Sequence, residues 1–163
     1  MSGAVVDAVD FRNAMAHFAS GVTVVTTRDP DGRPQGFTAS AFSSLSLEPP
    51  LVLVCLEKRA QCYSAFMAAP QMAISILALG QADIAQHFAR KQADKFTGVA
   101  TVPGAITGLP LIPGALVHLE CRLYARLEGG DHTILVGEVL RAETAEREPL
   151  LYYNRQFGRF VSV

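Results

Sequence analysis

Ala115-Leu-Val-His-Leu-Glu-Cys-Arg-Leu-Tyr-Ala-Arg-Leu-Glu128 decides the fold class of this chain. Ala115, Val117, Leu119, Cys121, Leu123, Ala125 and Leu127 alternate with Leu116, His118, Glu120, Arg122, Tyr124, Arg126 and Glu128. Successive side chains of a strand point to opposite faces, so a period of two predicts one buried face and one mostly polar face. Gly129-Gly130-Asp131 then turns the chain, and His132–Leu140 returns beside it as the second arm of a long hairpin.

Outward from this hairpin the same signals recur. Leu51–Leu56 and Met72–Ala78 are short, continuous apolar runs, as expected of strands covered on both faces. Val22–Arg28 is β-branched until its last residue and is followed by the turn Asp29-Pro30-Asp31-Gly32. The next strand leads into Gly36–Pro50, and Phe157–Val163 closes the sheet. Three short helices separate these runs. Asp10 is expected to cap the first, whose apolar face is Phe11, Ala14, Met15, Phe18 and Ala19 and whose stop is Gly21. Cys62–Ala69 is ended by Pro70, and Ala82–Arg90 turns Ile84 and Phe88 inward. From Lys91 to Gly114 regular pattern fades among glycines and prolines, leaving an irregular connection. About seven strands with a few short helices make a mainly β protein, an antiparallel barrel closed or partly closed. No linker or repeat interrupts the chain, so residues 1–163 are read as a single domain.

Composition narrows the function. The chain has 163 residues, half of them hydrophobic, and a net charge of −1, which fits a buried core and excludes disorder. The lack of a basic run argues against a nucleic-acid surface, and no apolar stretch is long enough for a membrane span. The N-terminal residues show no basic region followed by an apolar core, so no secretion signal is expected. Cys55, Cys62 and Cys121 are odd in number and scattered, which suits a reducing cytoplasm better than a disulfide framework. The high hydropathy of so short a chain points to a buried contact between copies, and a homodimer is expected.

Familiar catalytic motifs are absent. No glycine-rich dinucleotide fingerprint, phosphate loop or nucleophile elbow occurs, and His17, His87, His118 and His132 lack metal-ligand spacing, so no metal is expected. An enzyme whose cofactor performs the hard chemistry needs positioning more than nucleophiles. Gly36–Pro50 offers Thr38, Ser40, Ser43, Ser44 and Ser46 with no charge before Glu48. Two readings stand: a polar edge strand, or a seat for a planar ligand carrying many carbonyls and a phosphate, a description that flavin mononucleotide meets.

Seven segments, taken in order, resemble the short-chain flavin reductases, the reductase components of two-component flavin-dependent monooxygenases. They are Phe11–Met15 with Phe18–Thr27; Gly36–Phe42 with Ser44–Leu47; Pro50–Val54; His87-Phe88-Ala89; Gly108–Ile112; Gly130–Thr133 with Val136–Val139; and Pro149–Tyr153. The likeness covers Phe11 to Phe157; no single segment is specific, but the ordered set is. It implies the flavin-binding split barrel, an antiparallel Greek-key barrel paired into homodimers. It also implies an NAD(P)H:flavin oxidoreductase that reduces FMN or FAD at the expense of NADH or NADPH. Reduced flavin then leaves or passes to a separate oxygenase component. The rival readings are a flavin carrier or sensor without turnover and a flavin oxidase acting on another substrate.

The resemblance also implies site residues. Thr38, Ala39 and Ser40 meet the ring system and ribityl chain, and Ser44 and Ser46 reach toward ribityl or phosphate. Val54, Cys55 and Leu56 lie along the ring, which is compatible with a core role; Cys55 reads as an inert buried thiol. Lys58 or Arg59 supplies a cation for the phosphate. Phe88, Ala89 and Arg90, with Lys91, close over the cofactor tail, although two cations at a helix end also complement its dipole. His132 stands where the nicotinamide stacks, Asp131 shapes the turn, and Phe157 with Tyr152 and Tyr153 packs on the rings or in the core. Ala60 and Cys62 occupy places where many relatives carry hydroxyls. The pocket is expected to be lined by hydroxyls rather than cations, as suits a flavin that must be released.

Overall fold

The computed structural model describes Gly3 and residues 5–163. In chain order the elements are α1 (Ala8–Met15), β1 (Ser20–Gly21), β2 (Thr23–Arg28), β3 (Pro34–Ala39), β4 (Phe42–Ser46) and β5 (Leu51–Glu57). Then come α2 (Tyr63–Ala68), β6 (Gln71–Ile76), α3 (Ala82–Ala89), β7 (Val102–Pro103) and β8 (Pro110–Leu111). The chain ends with β9 (Val117–Gly129), β10 (His132–Thr144), β11 (Leu150–Tyr153) and β12 (Gln156–Arg159).

Seven strands form one antiparallel sheet in the order β3-β2-β6-β9-β10-β5-β4. The predicted hairpin β9–β10 lies near its middle, with His132 opposite Gly129 and Thr144 opposite Val117. Strands β3 and β4 stand at opposite edges, yet only Ser40 and Ala41 separate them in sequence. Three residue steps reach at most about 11 Å, so the two edges must come together and the sheet curls into a barrel. The Cys55 N–H donates to the Ala41 carbonyl at 3.0 Å, which extends the β4–β5 ladder into the short crossing from β3. A three-stranded sheet, β1-β11-β12, and the small ladder β7–β8 sit outside it.

Burial explains the apolar runs. Val24 and Val25 are both fully buried but belong to different clusters, since neighbouring side chains of β2 point to opposite faces. Val25, Phe37, Val54, Leu56, Phe66, Met72 and Ile74 pack within the barrel. Val24, Leu77, Ala85, Phe88, Ile112 and Leu150 pack between its outer face and α3. Gly137 sits at a register shift in the hairpin, where an added Cβ would lie 3.0 Å from the Cys121 Cβ and 2.6 Å from the Met72 Cε.

Several local expectations are corrected. Asp7, not Asp10, caps α1: its carboxylate accepts from the Val9 and Asp10 amides at 2.9 and 2.8 Å. The helix stops at Met15, and Gly21 pairs with Leu151 rather than ending it. None of α1 is buried, and Phe18, beyond its end, is 79 % exposed. Ile84 packs partly buried against the cluster that holds Phe88, as expected, and Ala85, buried, joins them from α3. The 91–114 connection contains β7–β8, and the last strand ends at Arg159. The polar face of β9 has one buried exception. Glu120 is 2 % exposed and accepts from the Ile106 and Thr107 amides and the Thr107 hydroxyl at 3.0, 2.7 and 2.8 Å. Burial raises its carboxyl pKa, but these donors outweigh that and hold it below the ordinary value.

Candidate active site

A cleft of about 380 Å³ opens where β3, the end of β5, the start of β10 and the end of α3 converge. Antiparallel register builds it: His132 lies opposite Glu57, Thr133 opposite Leu56 and Ile134 opposite Cys55. The Lys58 N–H donates to the Asp131 carbonyl at 2.9 Å, locking the loop after β5 to the hairpin turn. His132 therefore stands beside Arg59, Ala60 and Gln61 on one wall, while Phe37 and Thr38 of β3, Phe88 and Ala89 of α3 and the following Arg90 and Lys91 form the other.

The cleft is cationic, which corrects the expectation of a hydroxyl lining. Among the described residues, Arg59, Arg90, Lys91 and Lys95 face it against the single carboxylate of Glu57, and Thr38 is the only hydroxyl residue lining it. Among the described residues none of these cations forms a salt bridge. Lys95 is the best fixed of them. It is half-buried and donates to the Gly36 and Phe88 carbonyls at 3.1 and 2.8 Å. An ammonium carries three donors, so one remains for a ligand. Burial lowers the Lys95 pKa, with partial relief from the Cys62 thiol. The His87 Nε2–H donates to the Lys95 carbonyl at 2.7 Å, and Phe96 meets Phe88 edge-on, so the 91–97 segment is tied along α3.

His132 is held by its neighbour. An ionised carboxylate only accepts, so the Nδ1–H donates to Asp131 Oδ1 at 2.7 Å, and whenever the ring is neutral it is Nε2 that carries the lone pair. That hydrogen bond, followed by the histidine's charge, keeps the Asp131 carboxyl below its ordinary pKa. Burial raises the Cys55 thiol, which therefore lines the cleft as a neutral group.

A second cleft of about 540 Å³ shares Thr38 and Ala89 with the first and continues along α3. Ser40, Gln86 and the β11–β12 hairpin, through Tyr152, Arg155, Gln156 and Phe157, border it.

Ten of the predicted residues meet at these clefts: Thr38, Ser40, Cys55, Leu56, Arg59, Phe88, Ala89, Arg90, His132 and Phe157. Five do not. The side chains of Ala39 and Val54 turn into the barrel, at 7 % and 0 % exposure, as strand alternation requires. Ser44 and Ser46 lie on edge strand β4 opposite Val52 and Leu51, at the far end of β5 from Cys55 and Leu56. Lys58 is drawn to Glu128 at 2.5 Å, and that contact raises its pKa. The Thr38 hydroxyl donates to the Ala85 carbonyl at 2.6 Å, so toward the cleft it can only accept. Lys95, Gln86 and Arg155 escaped sequence reasoning, since they lie in an aperiodic stretch, on a polar helix face and in a turn.

Unpaired cations beside apolar Leu56 and Phe88 fit a flat ligand that carries phosphate, and a flavin nucleotide meets that requirement. Fold and site together define a split-barrel protein for a phosphorylated planar ligand. The chain belongs to the flavin reductase like domain family, whose model matches residues 15–160. It is 43 % identical to an NADH-dependent FAD reductase of Streptomyces globisporus, over 95 % of this chain and 87 % of that protein. It is 46 % identical to the reductase component of a 4-nitrophenol 4-monooxygenase/4-nitrocatechol 2-monooxygenase of Rhodococcus opacus, over 95 % of this chain and 82 % of that one. The structure of the Streptomyces globisporus NADH:FAD oxidoreductase with NAD and FAD fragments superposes with a TM-score of 0.90 at 43 % identity, covering 98 % of both chains. Among the described residues no helix is long and apolar enough to cross a membrane.

Proposed function

We propose that this chain is an NADH-dependent flavin reductase that reduces FMN or FAD and supplies the reduced flavin to a separate monooxygenase component. The observation that carries this reading is the continuous groove, cationic at the α3 end, with His132 on one wall. The activities printed for relatives of more than 40 % identity support it.

A flavin held in the groove would supply the redox chemistry, as the acceptor of a hydride from the reduced nicotinamide. The protein's share is binding, orientation and charge. Arg59, Arg90, Lys91 and Lys95 neutralise the phosphate, with Lys95 held in place by two carbonyls. Leu56 and Phe88 supply apolar wall, and Thr38 and Ser40 offer acceptors and backbone where the two clefts join. Asp131 fixes the tautomer of His132, whose Nε2 accepts a proton or a hydrogen bond from the nicotinamide amide.

A homodimer belongs to the same reading. Val9, Phe11 and Met15 of α1 are more than half exposed, as are Phe18 and the β4-side residues Leu45 and Leu47. A second copy covering these side chains would remove exposed apolar surface from water. Free Cys55, Cys62 and Cys121 suit a reducing cytoplasm.

The test is a steady-state assay crossing FMN and FAD with NADH and NADPH. Turnover with NADH and at least one flavin is expected. Background rates in all four combinations, with a bound flavin spectrum, would instead identify a carrier.

A further inference from the structure

We propose that His87 is a positioning residue for the flavin: it latches residues 91–97 as a strap along the first cleft and thereby sets how fast a bound flavin leaves. This rests on the reading that a flavin phosphate sits among the cations of that cleft.

Three observations converge. The first is how little else holds the strap. Residues 91–97 follow the extended C-cap of α3 at Arg90 and belong to no helix or strand. Among the described residues, their main chain makes one main-chain hydrogen bond, in which the Phe96 carbonyl accepts from the Val99 N–H at 3.0 Å, near the strap's own end. A segment with so few bonds opens readily unless side chains fasten it.

The second is where the fastenings lie. His87, half-buried on the last turn of α3, donates from Nε2 to the Lys95 carbonyl at 2.7 Å. A carbonyl only accepts, so the proton belongs to the ring. Phe96, the next residue, meets Phe88 edge-on with centroids 5.1 Å apart. It also lies close over β3, where a Cβ on Gly36 would stand 3.2 Å from its Cζ. Asp94 shapes the bend on the other side, since its Oδ1 accepts from the Phe96 and Thr97 amides at 2.8 and 3.1 Å.

The third is what the strap carries. Lys91 and Lys95 both line the first cleft. The Lys95 ammonium reaches back to the Gly36 and Phe88 carbonyls at 3.1 and 2.8 Å. A lysine stem is long and flexible, so those two bonds alone leave its main chain several positions. The His87 bond removes that freedom by fixing the point from which the ammonium starts. His87 itself lines neither cleft, so it acts on a ligand only through Lys95.

The test joins equilibrium to rate. Wild type, H87L, H87Q, D94A, K95M and the double variant H87L/K95M are titrated with FMN and with FAD by fluorescence quenching, and flavin dissociation is followed by stopped flow. H87L keeps bulk without a donor, and H87Q keeps an N–H within reach of the carbonyl. H87L should raise the flavin Kd about fivefold, equivalent to ~1 kcal/mol and carried by faster dissociation. H87Q should stay within twofold of wild type. D94A, at an exposed position, should speed dissociation about threefold or more. Because His87 acts through Lys95, H87L/K95M should bind within twofold of K95M alone. An H87L variant whose Kd moves less than twofold overturns the proposal. So does an H87Q that fails like H87L, a D94A that dissociates at the wild-type rate, or a double variant in which the two losses multiply. Urea midpoints reveal an H87L that folds poorly, and D94A with D94A/K95M then decides by the same criteria. Failure of the reductase reading shows separately, as a wild type that neither binds flavin nor oxidises NADH, and this inference falls with it.

Discussion

Lys95→Met isolates the best-held cation of the site. The variant keeps most of the side-chain length but deletes an ammonium that donates to Gly36 and Phe88 at 3.1 and 2.8 Å. Hydrogen bonds from a charged group contribute roughly 1.5–3 kcal/mol each when simply lost. Much of this is offset because burial disfavours the charge, the same penalty that lowers the lysine's pKa. The net loss of folding stability should therefore be small, about 1–2 kcal/mol. Binding is affected more. A unit charge about 4 Å from another is worth roughly 4 kcal/mol at an effective dielectric near 20. Sharing with Arg59, Arg90 and Lys91 and screening by water cut this to about 1.5–2.5 kcal/mol, a ten- to seventyfold rise in the FMN Kd. Arg90→Ala, at an exposed and untethered cation, should cost only about two- to fivefold. Urea midpoints report the stability and fluorescence quenching the affinity. The titration adds an independent signature: with a lowered pKa, Lys95 loses its charge below the ordinary 10.5, so wild-type FMN affinity should decline at alkaline pH before other lysines titrate. K95R should postpone that decline. A stable Lys95→Met variant whose FMN Kd changes less than threefold, or no more than in Arg90→Ala, refutes the reasoning.

Further outcomes are expected elsewhere in the molecule. His132→Ala should raise the KM for NADH about tenfold while leaving the FMN Kd within twofold to threefold; equal losses count against a nicotinamide-side role. Gly104→Ala would set a Cβ 2.2 Å from Glu120 Oε1, a carboxylate held by three donors, so a loss of about 2–3 kcal/mol should appear in thermal unfolding. An unchanged Tm would show that the Glu120 loop is slack. Glu120 also has a lowered pKa, so its stabilising contribution is complete above the unfolded value of 4.5 and is lost as pH falls through the folded one. Glu120→Gln should be less stable at pH 7, with the gap to wild type narrowing below pH 4.5; a constant gap would contradict the assignment.

The chemistry of the first cleft was partly legible in the sequence. Arg59, Arg90 and His132 were implied by the likeness to the flavin reductases rather than by any local pattern, and the structure gathers them at one cleft. Choosing between Lys58 and Arg59 was beyond any pattern, because it depends on Glu128, which lies across the hairpin and draws Lys58 away. Hydroxyls dominated the reading of Gly36–Pro50, but only Thr38 and Ser40 precede the seam where the sheet closes. Past it, β4 runs along β5 to the other end, and Ser44 and Ser46 go with it.

By itself, the order of residues determined which segments extend and which coil, and in the strands most of the faces they hide, though the apolar face of α1 stays exposed. The alternation of Ala115–Glu128, the β-branched run before Arg28 and the Gly130-Asp131 turn are local signals, and each acts through its own backbone geometry. The tertiary structure alone decided what meets what. Curling of the sheet joined edges that stand six strands apart in its order, aimed Ala39 and Val54 inward, and brought Lys95 and Arg155 from unpatterned stretches to the groove. Periodicity encodes the direction of a side chain from its own strand; it carries no record of the distant residue waiting there.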